Sequence, residues 1–136
     1  MSHFLAEVSC VEYPELLTCK RTISHLFERV CSLTQLKPLG DLVMHEFEKD
    51  EINGFEPGLT AFQILAESHI SYHSYVEERG FALDIYSCHD FDVDSVRQLI
   101  TDVFGDQIRS SRVVSRELPP PPECETNAQP LPLGEE

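Results

Sequence analysis

Between Leu65 and Tyr75 the chain reads LAESHISYHSY, which places Glu67, Ser68, His69 and His73 within seven positions. Cys88 follows Ser68 by twenty residues, in LDIYSC. A serine hydroxyl becomes a nucleophile when the chain holds it against a carbonyl, and an imidazole is a base near neutrality. A cysteine thiol is mostly protonated at neutral pH and can give up a proton. Two ordinary arrangements of these residue types do not fit. In a strand, His69 and His73 stand about 13 Å apart, too far to share a metal ion, and no third ligand sits at a suggestive spacing. A Ser-His-acid triad lacks its G-x-S-x-G elbow. A surface serine and an inert packing cysteine are the bland alternatives, and residue types alone stop at a polar cluster with the makings of a site.

The elements that must position these residues can be read from periodicity. HFLAEVSC, DLVMHEFE (41–48), LTAFQILA (59–66), the polar stretch that follows it, GFALDIYSC (80–88) and IRSSRVVSRE read as strands, and INGFEPG as turn chemistry. Asp84, Tyr86 and Cys88 then share one strand face. Cys19, Ile23, Leu26, Phe27 and Val30 follow helical spacing over 18–33, with Thr18 as the expected N-cap. Val93, Val96, Leu99, Ile100, Val103 and Phe104 trace a second helix face, with Asp92 before it and Gly105 after it. The order β-α-β-β-β-β-α-β predicts an α+β fold, a two-layer αβ sandwich whose mostly antiparallel sheet carries two helices on one face. The other sheet face then awaits a dimer partner or a buried site.

The chain of 136 residues allows one domain, 1–117, and a tail, 118–136. From Glu117 onward, six of the nine prolines and five acids occur with no basic residue, which predicts a disordered tail with Pro119–Pro122 in polyproline II. A net charge of −14 argues against nucleic acid or an anionic membrane as partner. Five cysteines without a C-x-x-C pair fit a reducing cytoplasm better than a disulfide framework. The N-terminus lacks the pattern of a secretory signal, and no run approaches the ~20 apolar residues that span a bilayer.

Order adds what residue types cannot. Glu67-Ser68-His69, His73 five residues after the serine, Glu77 in SYVEE and Cys88 in LDIYSC resemble the processing site of prokaryotic-type S-adenosylmethionine decarboxylase proenzymes. Phe55, Pro57, Gly58 and Thr60 in FEPGLTA resemble the F-x-P-x-G-x-[ST]-G of that family, and HFLAEVSC is similar to its opening strand. The resemblance covers residues 3 to about 117, with its specific part at 55–88.

The resemblance implies a self-processing pyruvoyl enzyme. Ser68 attacks the carbonyl of Glu67, with Thr60 donating a hydrogen bond and His73 removing the Cα proton. Cleavage between 67 and 68 leaves a β chain, 1–67, and an α chain, 68–136, that begins with a pyruvoyl group made from Ser68. That group would hold the substrate amine as a Schiff base, Cys88 would supply the proton that replaces CO2, and Phe55 and Glu77 would bind substrate. The implied reaction converts S-adenosylmethionine to its decarboxylated form for polyamine (spermidine) synthesis, with no metal, in a cytoplasmic homodimer. The alternatives are a pyruvoyl-dependent arginine or ornithine decarboxylase and an uncleaved, non-catalytic relative.

Four positions depart from the family pattern. Ala61 replaces a glycine, Val76 a proline, one residue is missing between Pro57 and Gly58, and His89-Asp90 follow Cys88 where glycine is common. The short loop and Val76 bear on substrate recognition rather than on cleavage.

Overall fold

Once LAESHISYHSY is laid out as a strand, every second side chain turns the same way. In the computed structural model Ser68, Ile70, Tyr72 and Ser74 are buried, while His73 and Tyr75 are exposed. The structure describes residues 1–105 and 108–119. The expected tail lies outside the described residues from position 120 onward, Cys124 included.

The strands are β1 (Ser2–Val8), β2 (Val43–Phe47), β3 (Gly58–Leu65), β4 (Ser68–Tyr75), β5 (Gly80–Ser87) and β6 (Ile108–Ser115). The helices are α1 (Lys20–Thr34) and α2 (Val93–Phe104). The described strands form a sheet in the order β2-β3-β4-β5-β1-β6, with every neighbouring pair antiparallel. Element order and class are those expected, an α+β two-layer sandwich.

Both helices pack on the same sheet face. Ile23, Leu26, Phe27 and Val30 of α1 and Val96, Leu99, Ile100 and Phe104 of α2 are buried there with Phe4, Ile70, Tyr72, Leu83 and Ile85 of the strands. Full burial of each large apolar side chain contributes about 1.5–3 kcal/mol, so the two helical stripes supply much of the stability. Tyr72, inside LAESHISYHSY, sits in this core. Its hydroxyl donates to the Leu17 carbonyl at 2.8 Å, and burial pushes its pKa far upward.

Two local expectations are corrected. Thr18 does not cap α1: Pro14–Thr18 form a 3₁₀ turn first, and α1 starts at Lys20 with Cys19 before it and no side-chain cap. Proline at the start of that turn favours a separate short helix over an extension of α1. β5 ends at Ser87, so Cys88 lies past the strand and alternation no longer places it with Asp84 and Tyr86. Asp92 does cap α2, accepting the N–H groups of Asp94 and Ser95, and Gly105 follows its end with φ 94°.

Candidate active site

The register Leu65↔Ser68 leaves Ala66 and Glu67 alone to turn the chain between β3 and β4. Asparagine or glycine usually takes such a turn, because one or both positions need positive φ. Here Glu67 takes it, at φ 58°, in the left-handed region that costs a non-glycine residue roughly 1–2 kcal/mol. The Ala66 N–H donates to the Lys37 carbonyl at 2.9 Å and ties the turn to the loop after α1.

Cys88 meets this turn. Its N–H donates to Ser68 Oγ at 3.0 Å, and its Sγ lies 3.9 Å from the Ala66 carbonyl oxygen. Ser68, 8% exposed, points toward the helix layer, and Cys88 is half-buried. The fold therefore places the Glu67–Ser68 peptide and the Cys88 thiol together.

Thr60 and His73 form a second pair. They are directly opposed on β3 and β4, with Thr60 Oγ1 3.3 Å from His73 Nδ1. An odd separation along one strand puts His73 on the opposite sheet face from Ser68, about 16 Å along β4 at ~3.3 Å per residue. Thr60, eight residues before Ser68 in sequence, is likewise at the far end of the hairpin. Within one chain these two pairs do not meet.

Phe55 and Glu77 belong to the second end. Asp50 accepts the N–H groups of Ile52 and Asn53, and the Asp50 N–H donates to the Phe55 carbonyl, a turn that presents the Phe55 ring. Phe55, Phe47 and Thr60 line a recess of about 310 Å³. A neighbouring recess joins Phe47 and Phe55 to Tyr75, Glu56 and Glu78. The hydrogen bond that protonated Glu77 donates to Glu56, then the Glu56 charge, raise the pKa of Glu77 above the usual carboxylate value.

An aromatic row crosses the open sheet face between the two ends. Phe62 stacks on His69 at 5.3 Å, His69 on Tyr86 at 5.6 Å, and His3 meets Tyr86 edge-on at 5.8 Å. Arg116 lies over the Tyr86 ring at 4.8 Å. Partial burial, then the charge of His3, lower the pKa of His69, which keeps it neutral.

Three of these participants escaped the sequence reading. Phe47 shares the Phe55 recess, and its place at the end of VMHEF, just before the turn that carries Phe55, was the available signal. Glu56 adjoins Phe55 in FEPG, but its contact with Glu77 is tertiary. His89, in the sequence only a departure from glycine, lies against both Cys88 and the end of α1. Among the described residues, no group of three or more His, Cys, Asp or Glu is arranged to hold a metal ion. No helix among them is long and apolar enough to cross a membrane.

Comparisons with known proteins bear on the family and the fold. The family model described as S-adenosylmethionine decarboxylase matches residues 2–117. An S-adenosylmethionine decarboxylase proenzyme of Parasynechococcus marenigrum is 31% identical over 104 residues, covering 72% of this chain and 73% of its own length. One from Pyrobaculum neutrophilum is 55% identical over 38 residues, 27% of this chain and 30% of its own length. The crystal structure of the adenosylmethionine decarboxylase from Aquifex aeolicus shares the fold with a TM-score of 0.66 at 21% identity, covering 90% of this chain and 94% of that one. The chain belongs to the S-adenosylmethionine decarboxylase family.

Proposed function

We propose that this protein cleaves itself between Glu67 and Ser68 and then decarboxylates S-adenosylmethionine, releasing CO2 and decarboxylated S-adenosylmethionine for polyamine (spermidine) synthesis. The observation that carries the reading is the meeting of Ser68 and Cys88 at a strained two-residue turn. Attack of Ser68 Oγ on the Glu67 carbonyl turns the amide into an ester and relieves the left-handed backbone of Glu67. Loss of the Cα proton of residue 68 then expels the Glu67 carboxylate and leaves a dehydroalanine at the new chain end, whose imine tautomer takes up water and releases ammonia to give a pyruvoyl group. A serine suits this position because its β-oxygen is both nucleophile and leaving group.

The pyruvoyl group so formed supplies a carbonyl electron sink for an amine substrate that loses CO2. Ser68 fits as its source: it is buried, its Oγ is held by a backbone N–H, and a thiol stands beside it. Cys88 gives its proton to the substrate carbon that CO2 leaves. Phe55 and Phe47 offer aromatic faces to an adenine ring, and this favours the nucleoside over arginine or ornithine. Parallel ¹⁴CO2 release from S-adenosylmethionine, arginine and ornithine is expected to show turnover of the first alone. Release from arginine or ornithine only would overturn the choice of substrate.

The opposite ends of the β3–β4 hairpin also support a homodimer. The open sheet face leaves Phe62, Ile64 and Val114 at 39%, 57% and 40% exposed, an apolar surface suited to a second copy. A two-fold pair of such faces with its axis running across the strands would set the Thr60–His73 end of one copy against the Ser68–Cys88 end of the other. His73 and Thr60 then serve cleavage of the partner chain, and Phe55 and Glu77 its substrate. Co-expressing Ser68→Ala with His73→Ala precursors is expected to yield a cleaved His73→Ala chain, although that precursor alone stays intact. Should the mixture also stay uncleaved, His73 does not act across an interface.

A further inference from the structure

The loop after β5 holds a contact that the cleavage site does not need. His89 Nε2 lies 3.1 Å from the Thr34 carbonyl oxygen, and Nδ1 lies 3.5 Å from Cys88 Sγ. Thr34 is the last residue of α1, where the carbonyls have run out of helical partners and no basic side chain fills the final turn. A carbonyl can only accept, so Nε2 carries the hydrogen of a neutral ring and Nδ1 is left as an acceptor facing the thiol.

The backbone of this loop is fixed on both sides. Buried Ser87 accepts the His89 N–H at 3.2 Å and donates to the His89 carbonyl, and the Ser2 hydroxyl donates to the Asp90 carboxylate. His89 itself is exposed, so it joins a half-buried thiol to solvent. The groups gathered at this end are Cys88, His89, Asp90 with Ser2, Glu67 and Ser68 of the turn, and the Thr34 and Lys37 backbone carbonyls.

We propose that His89 is a positioning residue that holds the Cys88 proton in place and renews it after each turnover. The proposal rests on Cys88 being the proton donor of the decarboxylation. At rest, Cys88 S–H donates to His89 Nδ1. The thiol gives its proton to the substrate carbon and becomes a thiolate. A solvent proton then adds to Nδ1, the ring nitrogen without a hydrogen, and passes from it to sulfur, which restores the neutral pair. One proton from solvent is consumed per CO2 released, and no oxidant or reductant takes part. The C-terminal end of α1 favours the transient imidazolium, because its carbonyls carry partial negative charge.

A helix-capping role alone is the competing account, and His89→Gln separates the two. The glutamine amide can still donate to the Thr34 carbonyl, but it has no counterpart of Nδ1 at the thiol. The readout is the alkylation rate of Cys88 by iodoacetamide between pH 5 and 9, followed by peptide mass mapping on self-processed protein. Wild type is expected to keep reacting below neutral pH, through the thiolate–imidazolium form of the pair. His89→Gln is expected to react about tenfold slower at pH 6.5, as a thiol without an imidazole partner. Its melting temperature and its cleavage at 67/68 should match wild type, and CO2 release should fall about tenfold or more with a displaced pH profile. Superimposable alkylation and turnover profiles for His89→Gln and wild type would overturn the proposal. If instead Cys88→Ala decarboxylates normally, the role of Cys88 itself has failed, and the alkylation profile still tests the Cys–His pairing alone.

Discussion

Ser68→Ala is expected to accumulate as a single chain of 136 residues under conditions in which wild type resolves into chains 1–67 and 68–136 by intact-mass measurement. The substitution removes the nucleophile and leaves the fold standing. The hydrophobic core lies between sheet and helices and does not depend on the Ser68 hydroxyl. Its loss deprives the Cys88 N–H of its acceptor, at a cost of about 1–3 kcal/mol if that group stays dry. The left-handed φ of Glu67 remains, so strain without a hydroxyl should not cut the bond. CO2 release should fall to background as well, because no pyruvoyl group can form. Cleavage at the same bond in Ser68→Ala would mean that a protease, and not the chain itself, makes the cut.

The division of this site between two ends of a hairpin marks how far the sequence could be read. Alternation and helical spacing located β1, β3, β5 and both helices, because their core faces are nearly unbroken runs of apolar residues. The motif order pointed to Ser68, His73 and Cys88 as a set. Proximity in a motif is a different matter from proximity in space, and His73, five residues from Ser68, must face the other way in any regular strand. That conclusion was available from period two alone. Glu67 was harder to foresee, since glutamate is a poor marker of positive φ. The end of β5 was also hidden: Ser87 and Cys88 look alike in pattern, and Ser87 Oγ bonds the His89 backbone just where the strand ends. His89 lies 55 residues from the helix end it touches, and nothing local announces such a contact.

Cys88→Ala is expected to separate the two activities that Ser68→Ala abolishes together. Cleavage should proceed, because Cys88 holds Ser68 Oγ through its backbone N–H, which alanine keeps. Decarboxylation should then drop 10²–10⁴-fold, about the contribution of a positioned general acid. The fold should tolerate the change: Sγ is half-buried, and its nearest polar contacts are the Ala66 carbonyl at 3.9 Å and His89 at 3.5 Å, both weak. Cys88→Ser sharpens the test. A hydroxyl fills nearly the same space, but it surrenders its proton far less readily than a thiol, so CO2 release should recover little. A serine variant as active as wild type would show that polarity at position 88, and not thiol acidity, serves the reaction. Full activity in the alanine variant would move the proton source elsewhere, with His89, next along the loop and open to solvent, the nearest candidate.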